Sequence, residues 1–120
     1  MAFLIVVDDD PISCQLLARY LQREGHEVRA VATGREAIDA GSTREPQVLL
    51  TDWLLKDTYD GIDVARMLQR QWPGMQIVFM TGLPIEHLKD RTAGLRVAKL
   101  VEKPFLIHEL MSELRIILAS

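Results

Sequence analysis

A chain of 120 residues with 48% hydrophobic and 26% charged side chains has the composition of one ordinary soluble domain, which excludes fibrous and disordered classes. The net charge of −3, with no run of Lys or Arg, excludes a basic arm, so direct binding of nucleic acid is not expected. Cys14 is the only cysteine, which excludes an internal disulfide and fits a reducing compartment, the cytoplasm.

Five short apolar runs alternate with stretches of helical periodicity, the pattern of repeated strand–helix units and a parallel sheet. Strands are predicted over 3–8, 27–31, 47–51, 76–80 and 98–102, in a single domain spanning 1–120 without repeat or linker. The first run, Phe3 to Val7, is too short to cross a membrane and leads into Asp8-Asp9-Asp10, unlike a signal peptide, so no membrane association is expected. Its continuous apolarity suits a strand covered on both faces, whereas the alternation of Glu27-Val28-Arg29-Ala30-Val31 reads as an edge strand.

The first helix starts with Asp10 as N-cap and Pro11 at the first helical position. It carries Ile12, Leu16, Leu17, Tyr20 and Leu21 and stops at Gly25. Thr33 followed by Glu36 is a capping box for a short second helix ending near Gly41. A third helix follows Gly61 with Ile62, Ala65, Leu68 and Trp72 on one side, and Pro73-Gly74 ends it. A fourth, over 84–92, has little apolar surface beyond Ile85 and Leu88 and is expected to pack weakly and to be able to move. The last, from about Leu106, has a wide apolar stripe: Leu106, Leu110, Leu114, Ile117 and Leu118, broadened by Ile107 and Met111. Most of that stripe is expected to pack on the sheet, with a surplus available to a partner.

Chemistry-bearing residues stand at four strand ends: Asp8-Asp9, Asp52, Thr81 and Lys103. Open parallel sheets bind ligands along the edge formed by the carboxyl ends of their strands. If right-handed crossovers make the first and third strands neighbours, Asp8, Asp9 and Asp52 lie within a few ångströms of one another. Each like-charge contact then costs on the order of 4 kcal/mol at an effective dielectric of 20, so the cluster needs a cation or raised pKa values. Oxygen ligands without His or Cys favour Mg²⁺, with Mn²⁺ as the second choice, completed by water and phosphate oxygens. Lys103 offers a point charge, and Thr81 a hydroxyl, to a phosphoryl oxygen. His26, His87 and His108 fall elsewhere, so neither Ser-His nor Cys-His catalysis is supported and a carboxylate is the remaining nucleophile.

These residues resemble the receiver domains of two-component response regulators over nearly the whole chain. Asp8-Asp9 look like that family's metal-site pair, Asp52 like its phosphoacceptor, Thr81 like its switch hydroxyl and Lys103-Pro104-Phe105 like its lysine motif. The resemblance implies a flavodoxin-like (βα)5 three-layer fold, five parallel strands in order 2-1-3-4-5 with five helices. It implies Mg²⁺ held directly by Asp9, Asp52 and the backbone carbonyl of Leu54, with Asp8 acting through water. A phosphoryl group would come from a histidine kinase or a histidine phosphotransfer protein, in a reaction the domain catalyses only on itself. Thr81 would then bias the face of the fourth and fifth predicted helices, toward a downstream protein, a fused output domain or a second copy.

The pattern departs in three places. Leu100 replaces the aromatic that often rotates with the switch hydroxyl, the loop between Asp52 and Gly61 is one residue longer than usual, and Lys56 stands where proline is frequent. Leu54 and Leu83 place apolar side chains at the two positions that tune loss of the phosphoryl group, favouring a lifetime that is not very short. Asp57 and Asp60 read as turn residues, Trp72 as packing, Trp53 as packing with partial exposure beside the site, and Lys103-Pro104 as a candidate cis bond. Two alternatives stay open: a receiver-like interaction module that works without phosphorylation, and a haloacid dehalogenase-type phosphatase. The latter lacks its second aspartate, since position 54 is Leu.

Overall fold

The computed structural model of the chain describes every residue except Met1, Lys56, Ile85, His87, Leu88 and Ser120. Strands β1 (Phe3–Val7), β2 (Glu27–Val31), β3 (Val48–Asp52), β4 (Gln76–Thr81) and β5 (Val97–Glu102) form one parallel sheet in the order β2-β1-β3-β4-β5. Helices α1 (Pro11–Arg23), α2 (Gly34–Gly41), α3 (Gly61–Gln71) and α4 (Ile107–Ala119) cover its two faces. This is the expected flavodoxin-like arrangement, with strand limits shifted by at most one residue.

Alternation along the buried strands divides the core. Phe3, Ile5, Val7, Leu49, Ile77 and Phe79 point to one layer, where they meet Ala37 of α2 and Val64, Ala65 and Leu68 of α3. Leu4, Val6, Val48, Leu50, Val78 and Met80 point to the other, against Leu17 and Leu21 of α1 and Leu110, Met111, Leu114 and Ile117 of α4. A strand buried on both sides must be apolar at every position, which is why β1 reads as a continuous run. The edge strand β2 has only Val31 fully buried, in keeping with its alternating sequence.

Caps follow the sequence closely. Asp10 accepts from the Ile12 N–H at 3.2 Å and from the Ser13 hydroxyl at 2.9 Å. Thr33 Oγ1 accepts from the Glu36 N–H, but its hydroxyl donates to the Glu36 side chain, so the second half of the expected capping box is made between side chains. Asp60, expected to be a turn residue, is the N-cap of α3 in a reciprocal box with Asp63.

The fourth predicted helix is corrected. Its residues Ile85, His87 and Leu88 lie outside the described residues, and the remainder forms a 3-10 turn over Lys89–Thr92. The turn is held by α3: Arg66 donates to the carbonyls of Arg91 and Ala93, each at 3.0 Å. β5 is correspondingly the less covered edge, with Ala98, Lys99 and Glu102 exposed and a register shift opposite Ile77 and Val78.

The surplus on the last helix is mostly consumed by the core. Leu110, Met111, Leu114 and Ile117 are buried, Ile107 and Leu118 pack against them, and Leu106 remains exposed. Leu114→Ala is therefore expected to destabilise the domain by about 2–5 kcal/mol through cavity formation, read as a shifted urea midpoint. An unchanged midpoint would return Leu114 to a partner-facing role.

Candidate functional site

Because β1 and β3 are hydrogen-bonded neighbours with Val7 opposite Thr51, the residues that follow, Asp8 and Asp52, emerge side by side at the carboxyl edge. Asp8 is 1% exposed and Asp52 6%, while Asp9 is partly accessible. One carboxylate oxygen from each of Asp8, Asp9 and Asp52 lies within 4.8 Å of the others. The strand order thus brings together the three carboxylates expected from sequence.

Backbone groups hold the cluster in place. The Asp10 N–H donates to Asp8 Oδ1 at 2.9 Å, turning Asp8 inward as α1 begins. Gly61 N–H donates to the Trp53 carbonyl at 3.0 Å, closing the neck of the loop after β3. A Cβ on Gly61 would run into the Asp52 carbonyl, so only glycine fits there. Trp53 is 2% exposed and stacks edge-to-face on Phe79 with centroids 5.1 Å apart. Its expected partial exposure is corrected: the indole turns under α3 rather than toward the site.

Lys103 enters from the end of β5, where its N–H donates to the Thr81 carbonyl at 2.7 Å and its bond to Pro104 is cis. Its Nζ lies 2.6 Å from Asp52 Oδ1 and 3.8 Å from Asp8 Oδ2. These two oxygens are buried and accept no well-directed hydrogen bond from the described residues, and the ammonium is their ion-pair partner. Burial, reinforced by hydrogen bonding with Asp8, pushes the Asp52 carboxyl up to about 7 against the opposing pull of Lys103. Burial works against the Lys103 ammonium, but Asp52, Asp8 and Asp9 together outweigh it and raise its pKa.

Buried carboxylate oxygens without donors, in a cluster with neither His nor Cys, fit a hard divalent cation coordinated by oxygen. Thr81 also stands at this edge and is 3% exposed. Its hydroxyl is engaged by the following loop, accepting from the Leu83 N–H at 2.9 Å and facing the Leu83 carbonyl at 3.3 Å. Leu54 and Leu83 expose their side chains on the rim. Lys56 lies outside the described residues. Leu100 is partly buried against the α2/α3 layer.

Two features were not legible in the sequence. Asp57, read as a turn residue, accepts from the N–H groups of Gly34 and Arg35 at the start of α2, at 3.2 and 3.1 Å. Its partners are 23 and 22 residues away, beyond any local signal. Ile12 and Leu16, read as part of the core stripe of α1, are 77% and 45% exposed. Leu16 lines a cleft of about 490 Å³ that reaches Asp8, Lys103 and Phe105. Cys14 is buried: burial, then the neighbouring Asp8 charge, push its thiol up and keep it neutral.

The family profile described as response regulator receiver domain matches residues 4–115. The chain belongs to that family, the receiver domains of two-component signal transduction. It is 32% identical over 117 residues to the probable transcriptional regulatory protein TcrX of Mycobacterium tuberculosis, covering 96% of this chain and 49% of that protein. It is 35% identical to the transcriptional regulatory protein TcrA of the same organism, covering 93% and 44%. The chain thus spans about half the length of these relatives. Among solved structures, the BeF3-activated DrrB receiver domain superposes with a TM-score of 0.86 at 26% identity, over 100% of this chain and 99% of that one. A CheY-like receiver domain protein from Methanospirillum hungatei shares the fold, with a TM-score of 0.88 at 22% identity over 97% and 92%. No helix among the described residues is long and apolar enough to cross a membrane.

The raised Asp52 has a measurable consequence without any metal. Its ordinary value is 3.8, so between about pH 4 and 7 the folded protein holds a proton that the unfolded chain has released. Stability from this group is complete below pH 4 and is lost as pH rises through 7, by up to about 4 kcal/mol. In EDTA, Asp52→Asn is expected to match the native protein near pH 4 and to exceed it by about 2–4 kcal/mol at pH 8 in urea denaturation. Parallel pH profiles for the two proteins would contradict the raised value.

Proposed function

We propose that this receiver accepts a phosphoryl group on Asp52 in a Mg²⁺-dependent reaction and changes a protein-binding surface in response. The observation that carries the reading is the pairing of a donor-less, buried Asp52 oxygen with the Lys103 ammonium at 2.6 Å inside a three-carboxylate cluster. Asp9, Asp52 and the Leu54 carbonyl would hold the cation directly and Asp8 through water. When bound, it supplies charge neutralisation for the carboxylates and the transferring group. An Asp52 oxygen attacks phosphorus, the bond from phosphorus to the donor nitrogen breaks, and the donor imidazole leaves. Lys103 Nζ, already poised between Asp52 and Asp8, shifts toward a phosphoryl oxygen, so the work is positioning and electrostatics.

Thr81 supplies the switch. Its hydroxyl would leave the Leu83 N–H for a phosphoryl oxygen, releasing the loop at Leu83. With Leu100 packed on the core, this loop rather than a rotating aromatic carries the change. Leu54 and Leu83 on the rim restrict water at the aspartyl phosphate and favour a lifetime that is not very short. The chemistry is confined to the domain's own modification and its reversal, in the cytoplasm. The output is a downstream protein or a fused domain, in line with relatives described as transcriptional regulators.

The donor is a histidine kinase or a histidine phosphotransfer protein. Its imidazole must approach Asp52 over the acidic edge, and the exposed Leu16, lining one cleft with Phe105, Asp8 and Lys103, forms an apolar rim next to that approach. Incubation with acetyl phosphate and Mg²⁺ is expected to add a single phosphoryl mass to the intact protein, absent in Asp52→Asn and in EDTA. No adduct in the native protein would favour the phosphorylation-independent module, and steady turnover of phosphomonoesters would favour the phosphatase. For the docking rim, Leu16→Asp is expected to slow transfer from a phosphorylated donor at least tenfold while leaving acetyl phosphate labelling unchanged. Equal slowing with both donors would place Leu16 in the chemistry rather than in docking.

A further inference from the structure

The loop from Trp53 to Asp60 carries Leu54 and is fixed at two places. Its neck is closed by the Gly61 N–H on the Trp53 carbonyl. Its tip reaches away from the site to α2, where both Asp57 carboxylate oxygens accept N–H groups, Oδ1 from Gly34 and Oδ2 from Arg35. The contact at that tip is close-packed: a Cβ on Gly34 would sit 2.5 Å from the Tyr59 carbonyl oxygen and 2.9 Å from Tyr59 Cβ. No element with a large side chain at its first position could approach the loop this way. The ring of Tyr59 packs against the same core layer as Ile38 of α2.

We infer that Asp57 is a positioning residue for the acidic site: by bonding the first two N–H groups of α2 it sets the path of the loop between β3 and α3, and hence where Leu54 presents its carbonyl to a divalent cation. This rests on the proposed metal site. Helix α2 touches none of the carboxylates, yet through Asp57 its N-terminus becomes a fixed wall against which the loop is set. The bond is charge-assisted and two-pronged, which restricts direction as well as distance. Outer groups that orient a metal ligand commonly change affinity by an order of magnitude or more when removed.

The test is a Mg²⁺ titration of the whole chain, followed by tryptophan fluorescence at a temperature where circular dichroism shows each variant folded. Asp57→Ala is expected to weaken Mg²⁺ binding on the order of tenfold. Asp57→Asn keeps one acceptor oxygen and is expected to recover a large part of the affinity. Loss of a helix cap alone would lower the melting temperature of Asp57→Ala but leave its Mg²⁺ dissociation constant within twofold of native, which overturns the inference. Equal weakening in Asp57→Asn and Asp57→Ala also overturns it, because the effect would then be that of a lost negative charge. Absence of saturable Mg²⁺ binding in the native protein would overturn the metal site itself, and the positioning role with it.

Discussion

Neighbouring parallel strands β1 and β3 force Asp8 and Asp52 together, and the rest of the molecule is organised around that unfavourable encounter. Carboxylates do not gather in a buried place on their own account: at such separations each like-charge pair costs kilocalories, and loss of water adds to it. What holds them is the register of two strands buried on both faces, Leu4 to Val7 against Val48 to Thr51. A slip of one residue would turn every one of those side chains to the opposite layer, so the core itself dictates where the acids emerge. The raised Asp52 pKa is the residue of that conflict, and the Lys103 ammonium is the protein's own partial answer to it.

That answer is incomplete in a way suited to exchange. Lys103 is a single point charge reaching in from the end of β5, and it leaves the buried oxygens of Asp8 and Asp52 without directed hydrogen bonds. A rigid bidentate partner such as arginine would satisfy them and seal the site; an ammonium on a flexible stem can move aside as a cation and a phosphoryl group enter. The cost of keeping the site open is carried by the strands beneath it, where Leu4, Ile5, Leu49, Leu50, Ile77, Phe79 and Met80 are fully buried.

One side of the surroundings is tied down by the loop after β3, and the other holds Thr81. On the fixed side, the loop after β3 is closed by Gly61 and tied to α2 by Asp57. Between Thr81 and β5 lies the 3-10 turn Lys89–Thr92, which α3 holds through Arg66. Gln69 donates to the Arg96 carbonyl and accepts from the Arg96 N–H, so the start of β5 is clamped, and the Thr81 hydroxyl accepts from the Leu83 N–H.

Much of this was legible in the chain itself, because strand ends, caps and apolar periods are local properties. Asp10-Pro11 marked α1, the Phe3 to Val7 run marked a strand buried on both faces, and the acids, hydroxyl and lysine at four strand ends marked the site. Other features depended on partners distant in sequence. Asp57 reads as a turn residue until α2 arrives beside it, and Trp53 reads as half-exposed until Phe79 and α3 enclose it. Ile12 and Leu16 have the same spacing as the core residues of α1, and only the placement of the helix on the sheet leaves them outside. The amino-acid order by itself determined which elements form and which chemical groups stand at their ends, since those follow from backbone propensity and hydrophobic period. Tertiary structure alone decided which of those groups are buried, paired or left open, because burial and pairing are properties of the space between elements.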